Sequence, residues 1–379
     1  LFHFPTARGN ASIPLPTCLE HLLPYLTGES GPLSFFTSYR RFGPPYAACA
    51  EKIAEAAPDI ILLGCFAFCY ADSLLELAQQ CRERLPNVPI AAGGAGVTVR
   101  PAYFEKNPAV DFVLPGEAEM ILPAFFAGLE INPRGEISPR VGDRRAQMEF
   151  PMPEDGSRAE RGRPLPAASL TGAAGKRVLL STTTSRGCPK ACSFCSVRLS
   201  HPGGLRRLPK HDVIENLKSA APSMAGKNLS INFEDDNLLA DWDHAVDVLA
   251  AIKKVWPTAA FTAENGLDYT YLDRKKTKVL IDLGFFRFNF SLGVSGAANV
   301  EDRNRYRDPA LLEELVRFIA NKKKQCTVFF ICGFPGDTPE SSVKTLIYLY
   351  TLPCRTGISL YYPVPGVMDK TVPKDAPPA

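Results

Sequence analysis

The sequence predicts an α/β protein with two parallel-sheet domains. Short apolar runs alternate with helical patterns in residues 1–130 and again in residues 177–379. Such alternation is typical of parallel strands that are covered by helices on both faces. Residues 131–176 are rich in Pro, Gly, Arg and Glu and have no sustained period, which predicts a linker. A chain of 379 residues is long enough to fill two cores.

The first domain is predicted to be a Rossmann-like sheet. Its strand candidates are 1–4, 59–64, 88–92 and 111–114, and its helical patterns are 16–26, 73–85 and 118–129. Ligands of open parallel sheets bind beyond the carboxyl ends of the strands. Residues that follow these apolar runs are therefore the candidates for a binding site.

The second domain is predicted to be a partial (β/α)6 barrel of the TIM type. Its six strand candidates are 178–182, 229–233, 260–263, 286–292, 327–332 and 357–362, with helical segments between them. In such barrels the chemistry takes place at the carboxyl ends of the strands.

Composition excludes several classes of protein. The chain is 45% hydrophobic and 22% charged, as ordinary globular proteins are. A net charge of +3 is too small to indicate a nucleic-acid partner, and none is expected. We expect no membrane span, because no apolar run is long enough, and we find no signal-peptide pattern. The eleven cysteines therefore favour a reducing cytoplasmic location. The chain begins at Leu1 without Met, which is consistent with a fragment of a longer protein.

Three cysteines are clustered within eight residues. Cys188, Cys192 and Cys195 have Cys-x3-Cys-x2-Cys spacing. Four cysteines complete an ordinary [4Fe–4S] cluster, so three leave one iron open. A zinc knuckle would need a fourth ligand, and the nearest, His201, has no accompanying Cys-x2-Cys or His-x3-His pair. Simple core packing explains poorly why three thiols stand among Gly, Pro, Lys and Ser.

This spacing, with Phe194 before the third cysteine, resembles the radical S-adenosylmethionine (SAM) family. The resemblance implies that the three cysteines hold a [4Fe–4S] cluster whose open iron is chelated by SAM. It also implies cleavage of SAM to a 5′-deoxyadenosyl radical by an electron from an external donor such as flavodoxin or ferredoxin.

The resemblance extends along the strand ends of the second domain. It implies SAM contacts by Phe194, Glu234, Asp235, Ser291, Gly333, Phe334 and Pro335. A carboxylate suits the amino group of SAM, and glycine lets the backbone approach the flat adenine. The acidic residues after the second strand also have a purely structural interpretation, because Asp and Asn after a strand often cap a helix. Thr338 and Pro339 likewise fit the start of a helix.

The strand ends of the first domain resemble the cobalamin-binding group of radical SAM enzymes. The resemblance rests on Gly93-Gly94-Ala95 and on the segment from Asp111 to Glu119, which contains Gly116 and Glu117. It implies cobalamin contacts by Thr6, Arg8, Gly9, Cys65, Phe66, Gly93, Gly94, Ala95, Gly116 and Glu117. Thr6 stands where many such domains have a cobalt-binding His, so histidine ligation of cobalt is not expected.

A methylthiotransferase is a competing interpretation. Such enzymes hold a second cluster on their first domain through three cysteines, and Cys18, Cys49 and Cys81 are almost evenly spaced. Cluster ligands belong at strand ends, however, and Cys81 lies within a helical pattern. We therefore favour the cobalamin interpretation.

The implied activity is that of a cobalamin-dependent radical SAM methyltransferase. Such an enzyme would methylate an unactivated carbon or phosphorus centre through methylcobalamin and a 5′-deoxyadenosyl radical. A rearrangement, cyclisation or carbon–carbon coupling with the same cofactors remains an alternative, as does a non-enzymatic iron–sulfur protein. The substrate is expected to be a small molecule, lipid or peptide. No catalytic acid or base can be assigned from the sequence.

Overall fold

The computed structural model describes residues 10–12, 40–131, 137–139, 169–174, 177–220, 228–294 and 308–367. The chain divides into two compact units. One comprises residues 1–149 with 374–379, and the other comprises residues 150–373. No helix in the described ranges is long and apolar enough to cross a membrane.

The described part of the first unit contains a three-stranded parallel sheet and short helices. Its elements are β1 (Asn10–Ser12), β2 (Arg40–Phe42), α1 (Tyr46–Glu55), β3 (Ile61–Gly64), α2 (Ala71–Arg84), β4 (Ile90–Gly93), α3 (Ala95–Val99), α4 (Pro101–Glu105), β5 (Phe112–Leu114), α5 (Ala118–Ala127), β6 (Leu129–Ile131) and β7 (Ile137–Pro139). The parallel sheet has the order β3-β4-β5, while β1 pairs with β2 and β6 pairs with β7, both antiparallel.

The three predicted strands that end near residues 64, 92 and 114 are confirmed as β3, β4 and β5. The central strand is buried on both faces, because Ile90, Ala91 and Ala92 are each no more than 1% exposed. Asp111 fixes the amino ends of β4 and β5 by pairing with Arg82 and accepting the Ile90 N–H at 2.8 Å. The predictions at 1–4 and 16–26 fall outside the described residues.

The second unit alternates strands and helices through most of its described length. Its elements are β8 (Ser169–Ala174), β9 (Arg177–Thr182), β10 (Ser185–Arg186), α6 (Val197–Ser200), β11 (Arg206–Arg207), α7 (Lys210–Ala220), β12 (Asn228–Phe233), α8 (Trp242–Val255), β13 (Ala260–Thr262), α9 (Arg274–Leu283), β14 (Arg287–Val294), α10 (Pro309–Asn321), β15 (Gln325–Cys332), α11 (Pro339–Tyr350) and β16 (Arg355–Leu360).

The parallel strands form the predicted partial barrel. Strands β9, β12 and β13 are neighbours in one sheet, and β14, β15 and β16 are neighbours in another. Parallel bridges from Phe261 to Phe285 and from Leu267 to Phe290 join the two sheets. All six predicted strands are therefore confirmed, in the order β9-β12-β13-β14-β15-β16.

Large apolar side chains of successive barrel strands pack against the helices of this unit. The side chains of Leu180, Ile231, Phe261, Phe288 and Val328 are fully buried in one hydrophobic cluster. The burial of each of these side chains contributes roughly 1.5–3 kcal/mol. A close-packed core of this kind fixes the strand ends, from which the candidate site is built.

The segment predicted to be a linker contains regular structure. Within residues 131–176, the structure describes β7 and β8, and β8 pairs antiparallel with β9 on the side away from β12. The sequence of β8 consists of Ser, Leu, Thr, Gly and Ala, which is too weakly apolar to predict a strand. The domain boundaries at 130 and 176 stay a prediction.

Candidate functional site

The cysteine loop follows β9 at the carboxyl end of the barrel strands. Cys192 is 5% exposed, while Cys188 and Cys195 are half-buried. Burial raises the pKa of the Cys195 thiol, and the neighbouring Cys192, Cys188 and Asp236 raise it further. The three thiols therefore lie close enough to repel one another as thiolates, and a bound cationic metal centre would relieve that repulsion.

The donor set consists of sulfur alone, which suits an iron–sulfur cluster. No three His, Cys, Asp or Glu side chains in the described ranges are grouped so as to hold a metal ion. A [4Fe–4S] cluster binds each thiolate to a different iron, so its ligands need not converge on one point. His201, the fourth ligand that a zinc knuckle would need, has its Nε2 3.7 Å from Asp236 Oδ2.

Gly187, directly before the first cysteine, is fixed by its surroundings. Its φ is +83°, which favours glycine, and a Cβ atom there would lie 2.1 Å from the carbonyl oxygen of Gly204. The strands β10 and β11 pair beside this contact, with Arg186 opposite Arg206. The entrance to the cysteine loop is therefore built on a close backbone approach.

The segment after β12 holds the start of the cysteine loop, because β12 is the neighbour of β9 in the sheet. Asp235 is 2% exposed, and its two carboxylate oxygens accept the Thr184 N–H at 3.0 and 3.1 Å. The hydroxyls of Thr184 and Ser185 donate to the same carboxylate at 2.7 and 2.6 Å. Desolvation raises the pKa of Asp235, and these hydrogen bonds oppose the rise.

The next two residues of the same segment continue this contact along the loop. Asp236 accepts the Gly187 N–H at 2.8 Å, and Asn237 Nδ2 lies 3.4 Å from the Sγ of Cys188. Consecutive residues after β12 thus hold consecutive points of the loop that leads to the first cysteine. We call residues Asp235, Asp236 and Asn237 the loop clamp.

A partly buried ion pair holds the middle of the cysteine loop. Lys190 pairs with Asp268, donates to Thr270 Oγ1 at 3.2 Å and stands 5.0 Å from the ring centre of Tyr271. Asp268 precedes a short 3₁₀ helix at Tyr269–Tyr271, after β13. The loop is therefore attached to the barrel beyond both β12 and β13.

The two acidic candidates for SAM binding lie in different environments. The Asp235 carboxylate accepts hydrogen bonds from Thr184 and Ser185 within the protein, and its contact with SAM stays a prediction. Glu234 is exposed and accepts from Asn232 Nδ2 at 3.2 Å, and its carbonyl oxygen accepts from Asn265 at 3.0 Å. Neither residue is a helix cap, because Asp241 caps α8.

A cavity of about 400 Å³ lies within the barrel unit. Its lining includes Phe194 from the cysteine loop and Ser291 from β14, two of the predicted SAM residues. The remaining lining residues are Glu264, Asn265, Gly266, Gly293, Phe329, Phe330, Ile331, Ser359, Leu360, Tyr361 and Tyr362. Aromatic walls with a few carboxylate, amide and hydroxyl groups suit a flat heterocycle that carries a polar tail.

The predicted turn after β15 supports one wall of this cavity. Phe334 is 8% exposed and packs edge-on against Phe194 at 6.3 Å and Tyr361 at 4.8 Å between ring centres. Gly333 and Pro335 are exposed, and neither lines the cavity. Phe334 therefore joins the cysteine loop to the end of β16.

The local reading of the helix start after this turn is confirmed. Thr338 caps α11 in a capping box with Ser341, and Pro339 is the first helical residue.

Sequence reasoning did not identify Glu264, which lines the cavity. Its carboxylate accepts from Thr262 at 2.8 Å, Arg287 at 3.0 Å and Asn289 at 2.9 Å. Its N–H donates to Asn232 Oδ1 at 2.8 Å. The signal was available, since Glu264 follows a predicted strand end directly, as Glu234 does.

Two glycines of the first unit, Gly94 and Gly96, are explained by close packing against the Cys65 segment. Gly94 has φ +98°, and a Cβ atom there would lie 2.6 Å from Cys65 O. A Cβ atom at Gly96 would lie 2.5 Å from the Sγ of Cys65. By contrast, Gly64 and Gly93 are register partners at the ends of β3 and β4, and a Cβ atom at either would meet nothing closer than 3.4 Å.

The remaining cobalamin candidates fall into three groups. Cys65 is buried and donates to Ala67 O at 3.1 Å, and burial raises its pKa to about 11. Phe66 is 83% exposed beside it. Ala95, Gly116 and Glu117 stand at the starts of α3 and α5. Thr6, Arg8 and Gly9 lie outside the described residues.

A hydroxyl that the sequence did not single out connects the two glycine segments. Thr98 Oγ1 donates to Gly94 O at 2.9 Å and accepts the Gly116 N–H at 2.8 Å. The segments after β4 and β5 are therefore held together. The cysteines of the competing interpretation, Cys49 and Cys81, are buried within α1 and α2 rather than at strand ends, and Cys18 lies outside the described residues.

Comparison with known families decides the class of the barrel unit. Residues 182–349, which include the cysteine loop, the loop clamp and most of the cavity, match the Radical SAM superfamily. This chain contains a radical SAM domain. The resemblance drawn from Cys188, Cys192 and Cys195 is thereby confirmed.

Relatives of this radical SAM protein include methyltransferases. It is 32% identical over 163 residues to the cobalamin-dependent radical SAM methyltransferase TokK of Streptomyces tokunonensis, across 40% of the chain and 23% of TokK. It is 24% identical over 348 residues to the cytidylyl-2-hydroxyethylphosphonate methyltransferase of Streptomyces wedmorensis, across 80% of the chain and 63% of that enzyme. The radical SAM protein thus spans less than two thirds of either relative.

The fold of this radical SAM protein resembles that of TsrM from Kitasatospora setae. The TM-score is 0.62 at 17% identity, over 86% of this chain and 67% of TsrM. At that identity the likeness concerns the fold alone.

Proposed function

We propose that this radical SAM protein is a cobalamin-dependent methyltransferase that acts on an unactivated carbon or phosphorus centre. The observation that carries the proposal is the cysteine loop, clamped at the mouth of the barrel with Phe194 in the wall of the 400 Å³ cavity. The activities for which TokK and the phosphonate enzyme are named support methyl transfer.

In this proposal Cys188, Cys192 and Cys195 hold the [4Fe–4S] cluster, which supplies the electron for reductive cleavage of SAM. The aromatic cavity receives the adenosyl part of SAM, with Phe194 against adenine and Ser291 near the ribose. Glu234 is the favoured acidic candidate for the amino group of SAM, because the Asp235 carboxylate accepts hydrogen bonds within the protein. An external donor such as flavodoxin or ferredoxin, in a reducing cytoplasm, provides the electron.

The first unit is proposed to bind cobalamin on the carboxyl edge of its sheet. Gly64 and Gly93 leave the ends of two adjacent strands without side chains, so a flat or extended ligand group could approach the backbone there. Exposed Phe66 offers apolar surface beside them. Cys65 is not proposed as a cobalt ligand, because its thiol is buried, protonated at neutral pH and bonded to Ala67 O.

The proposal is tested by anaerobic reconstitution with iron, sulfide and cobalamin. We expect an iron–sulfur absorption band, a corrin spectrum that survives desalting, and 5′-deoxyadenosine from SAM and reductant. Cys192→Ala is the matched variant, since it should lose the cluster and SAM cleavage while it keeps the corrin spectrum.

The separate readouts identify which part of the proposal fails. Absence of SAM cleavage by the fully loaded protein would contradict a radical SAM activity. Absence of a corrin spectrum would contradict the role of the first unit. With a candidate small-molecule, lipid or peptide substrate, a product without an added methyl group would favour cyclisation, rearrangement or carbon–carbon coupling.

A further inference from the structure

We propose that Asn237 is a positioning residue that raises the reduction potential of the cluster through Cys188. The inference rests on the proposed function, because it requires that Cys188 be a cluster ligand. It concerns a residue that neither the cysteine spacing nor the predicted SAM contacts include.

The geometry brings two N–H donors to one sulfur. Asn237 Nδ2 lies 3.4 Å from Cys188 Sγ, and the backbone N–H of Lys190 points to the same atom at 3.5 Å. Both distances are in the range of N–H···S hydrogen bonds. The backbone donor cannot be removed by substitution of a side chain, whereas the Asn237 donor can.

The position of Asn237 is determined by the segment that carries it. Asp235 and Asp236 hold Thr184, Ser185 and Gly187, so the backbone that leads to Asn237 is fixed against the same loop as its target. Asn237 itself is 6% exposed. Its amide is thus held against Cys188 with little freedom to turn away.

The oxygen of the Asn237 side-chain amide supports a role beyond packing. Asn237 Oδ1 is buried and has no hydrogen-bond partner among the described residues. An unsatisfied buried oxygen costs free energy, and an apolar side chain of similar volume would avoid that cost. The amide at this position is therefore better explained by its N–H···S contact than by stability.

The contact has a predictable electrostatic effect. A cluster that accepts an electron gains negative charge, and that charge is shared with its sulfur ligands. Hydrogen-bond donors to those sulfurs stabilise the reduced state more than the oxidised state, which raises the reduction potential. Loss of the Asn237 donor should therefore make the potential more negative.

The test is a redox titration of the reconstituted full chain with dithionite, followed by electron paramagnetic resonance. Asn237→Leu removes both amide groups at similar volume, and Asn237→Asp replaces the donor by a charged acceptor. We expect a shift of the midpoint potential to more negative values in Asn237→Leu and a larger shift in Asn237→Asp. Asn321→Leu, at an exposed position at the end of α10, is the matched control and should leave the potential unchanged.

Iron and sulfide content and thermal unfolding are measured on the same samples. Asn237→Leu should keep its cluster, because the three cysteines are unchanged, and its unfolding temperature, because removal of the unpartnered Oδ1 offsets the loss of the N–H···S contact. A midpoint potential equal to that of the parent at equal cluster content would overturn the inference but leave the proposed function standing. A parent chain that takes up no cluster would overturn the proposed function and this inference together.

Discussion

The carbonyl oxygen of Gly204 lies 2.1 Å from the place that a Cβ atom would occupy at Gly187. No side chain larger than hydrogen fits there without movement of the backbone. Gly187 also has φ +83°, a conformation that costs L-residues roughly 1–2 kcal/mol. Two independent effects therefore require glycine directly before the first cluster cysteine.

Gly187→Ala should reduce cluster loading as well as stability. The added methyl group would displace the segment that leads to Cys188, so the iron content after anaerobic reconstitution should fall. The matched control is Gly204→Ala, because Gly204 has φ +75° but a Cβ atom there meets nothing within 4 Å. Equal iron loss in both variants would show that backbone strain alone matters and that the close contact does not.

Asp235 should make the free energy of unfolding depend on pH. Burial raises its pKa above the ordinary 3.8, so between these two values the native chain binds more protons than the unfolded chain. Its contribution to stability is therefore greatest at low pH and declines as pH rises through the raised pKa.

Urea unfolding at a series of pH values, for the parent and for Asp235→Asn, measures this effect. The difference between the two free energies should change across that window and stay constant outside it. Parallel curves would contradict the assigned pKa direction.

Thr98→Val should weaken the first unit without a change in side-chain shape. The substitution removes the hydrogen bonds to Gly94 O and from the Gly116 N–H. The expected loss of stability is about 1–2 kcal/mol, together with weaker retention of cobalamin on a desalting column. Thr98→Ser keeps the hydroxyl and should restore both properties. If Thr98→Val retains cobalamin as the parent does, the link between these two segments has no part in binding.

Ser291→Ala should weaken SAM binding about fivefold, the equivalent of about 1 kcal/mol for one hydrogen bond. Ser291 lines the cavity from β14 and is the predicted contact to the polar part of SAM. Equilibrium dialysis with labelled SAM measures the effect in the reconstituted protein. Ser219→Ala, on an exposed part of α7, provides the control. Unchanged affinity in Ser291→Ala would remove this residue from the proposed site.

The strand positions of the barrel could be predicted because apolar residues recur along each strand, as at Leu229, Ile231 and Phe233 of β12. The pattern at 229–233 ends at Phe233, where β12 ends, and the pattern at 327–332 ends at Cys332, where β15 ends. The strand face that packs against the helices leaves this mark in the sequence. Strand β8 leaves none, since its residues are small and it lies at the edge of the sheet.

The partners of the site residues could not be predicted, because they are distant in sequence. Asp235 follows a strand, as a ligand contact or a helix cap would, but its partners Thr184 and Ser185 belong to another strand end. The double glycine at 93–94 could be recognised from the sequence. The close approach of the Cys65 backbone, which explains why position 94 is glycine, could not. Such contacts depend on which strands are neighbours, and the residue pattern of a single strand does not contain that information.

The loop clamp has a consequence for the order of folding. All three residues of the loop clamp follow the same strand, β12. This strand pairs in parallel with β9, and the last pair in their register is Phe233 with Thr182. The order of the cysteine loop therefore depends in part on a pairing that closes a long stretch of chain. Such pairings form slowly. In a newly made chain the three thiols would remain accessible to oxidants until β9 and β12 have met, so the time before this pairing is when metal uptake competes with thiol oxidation.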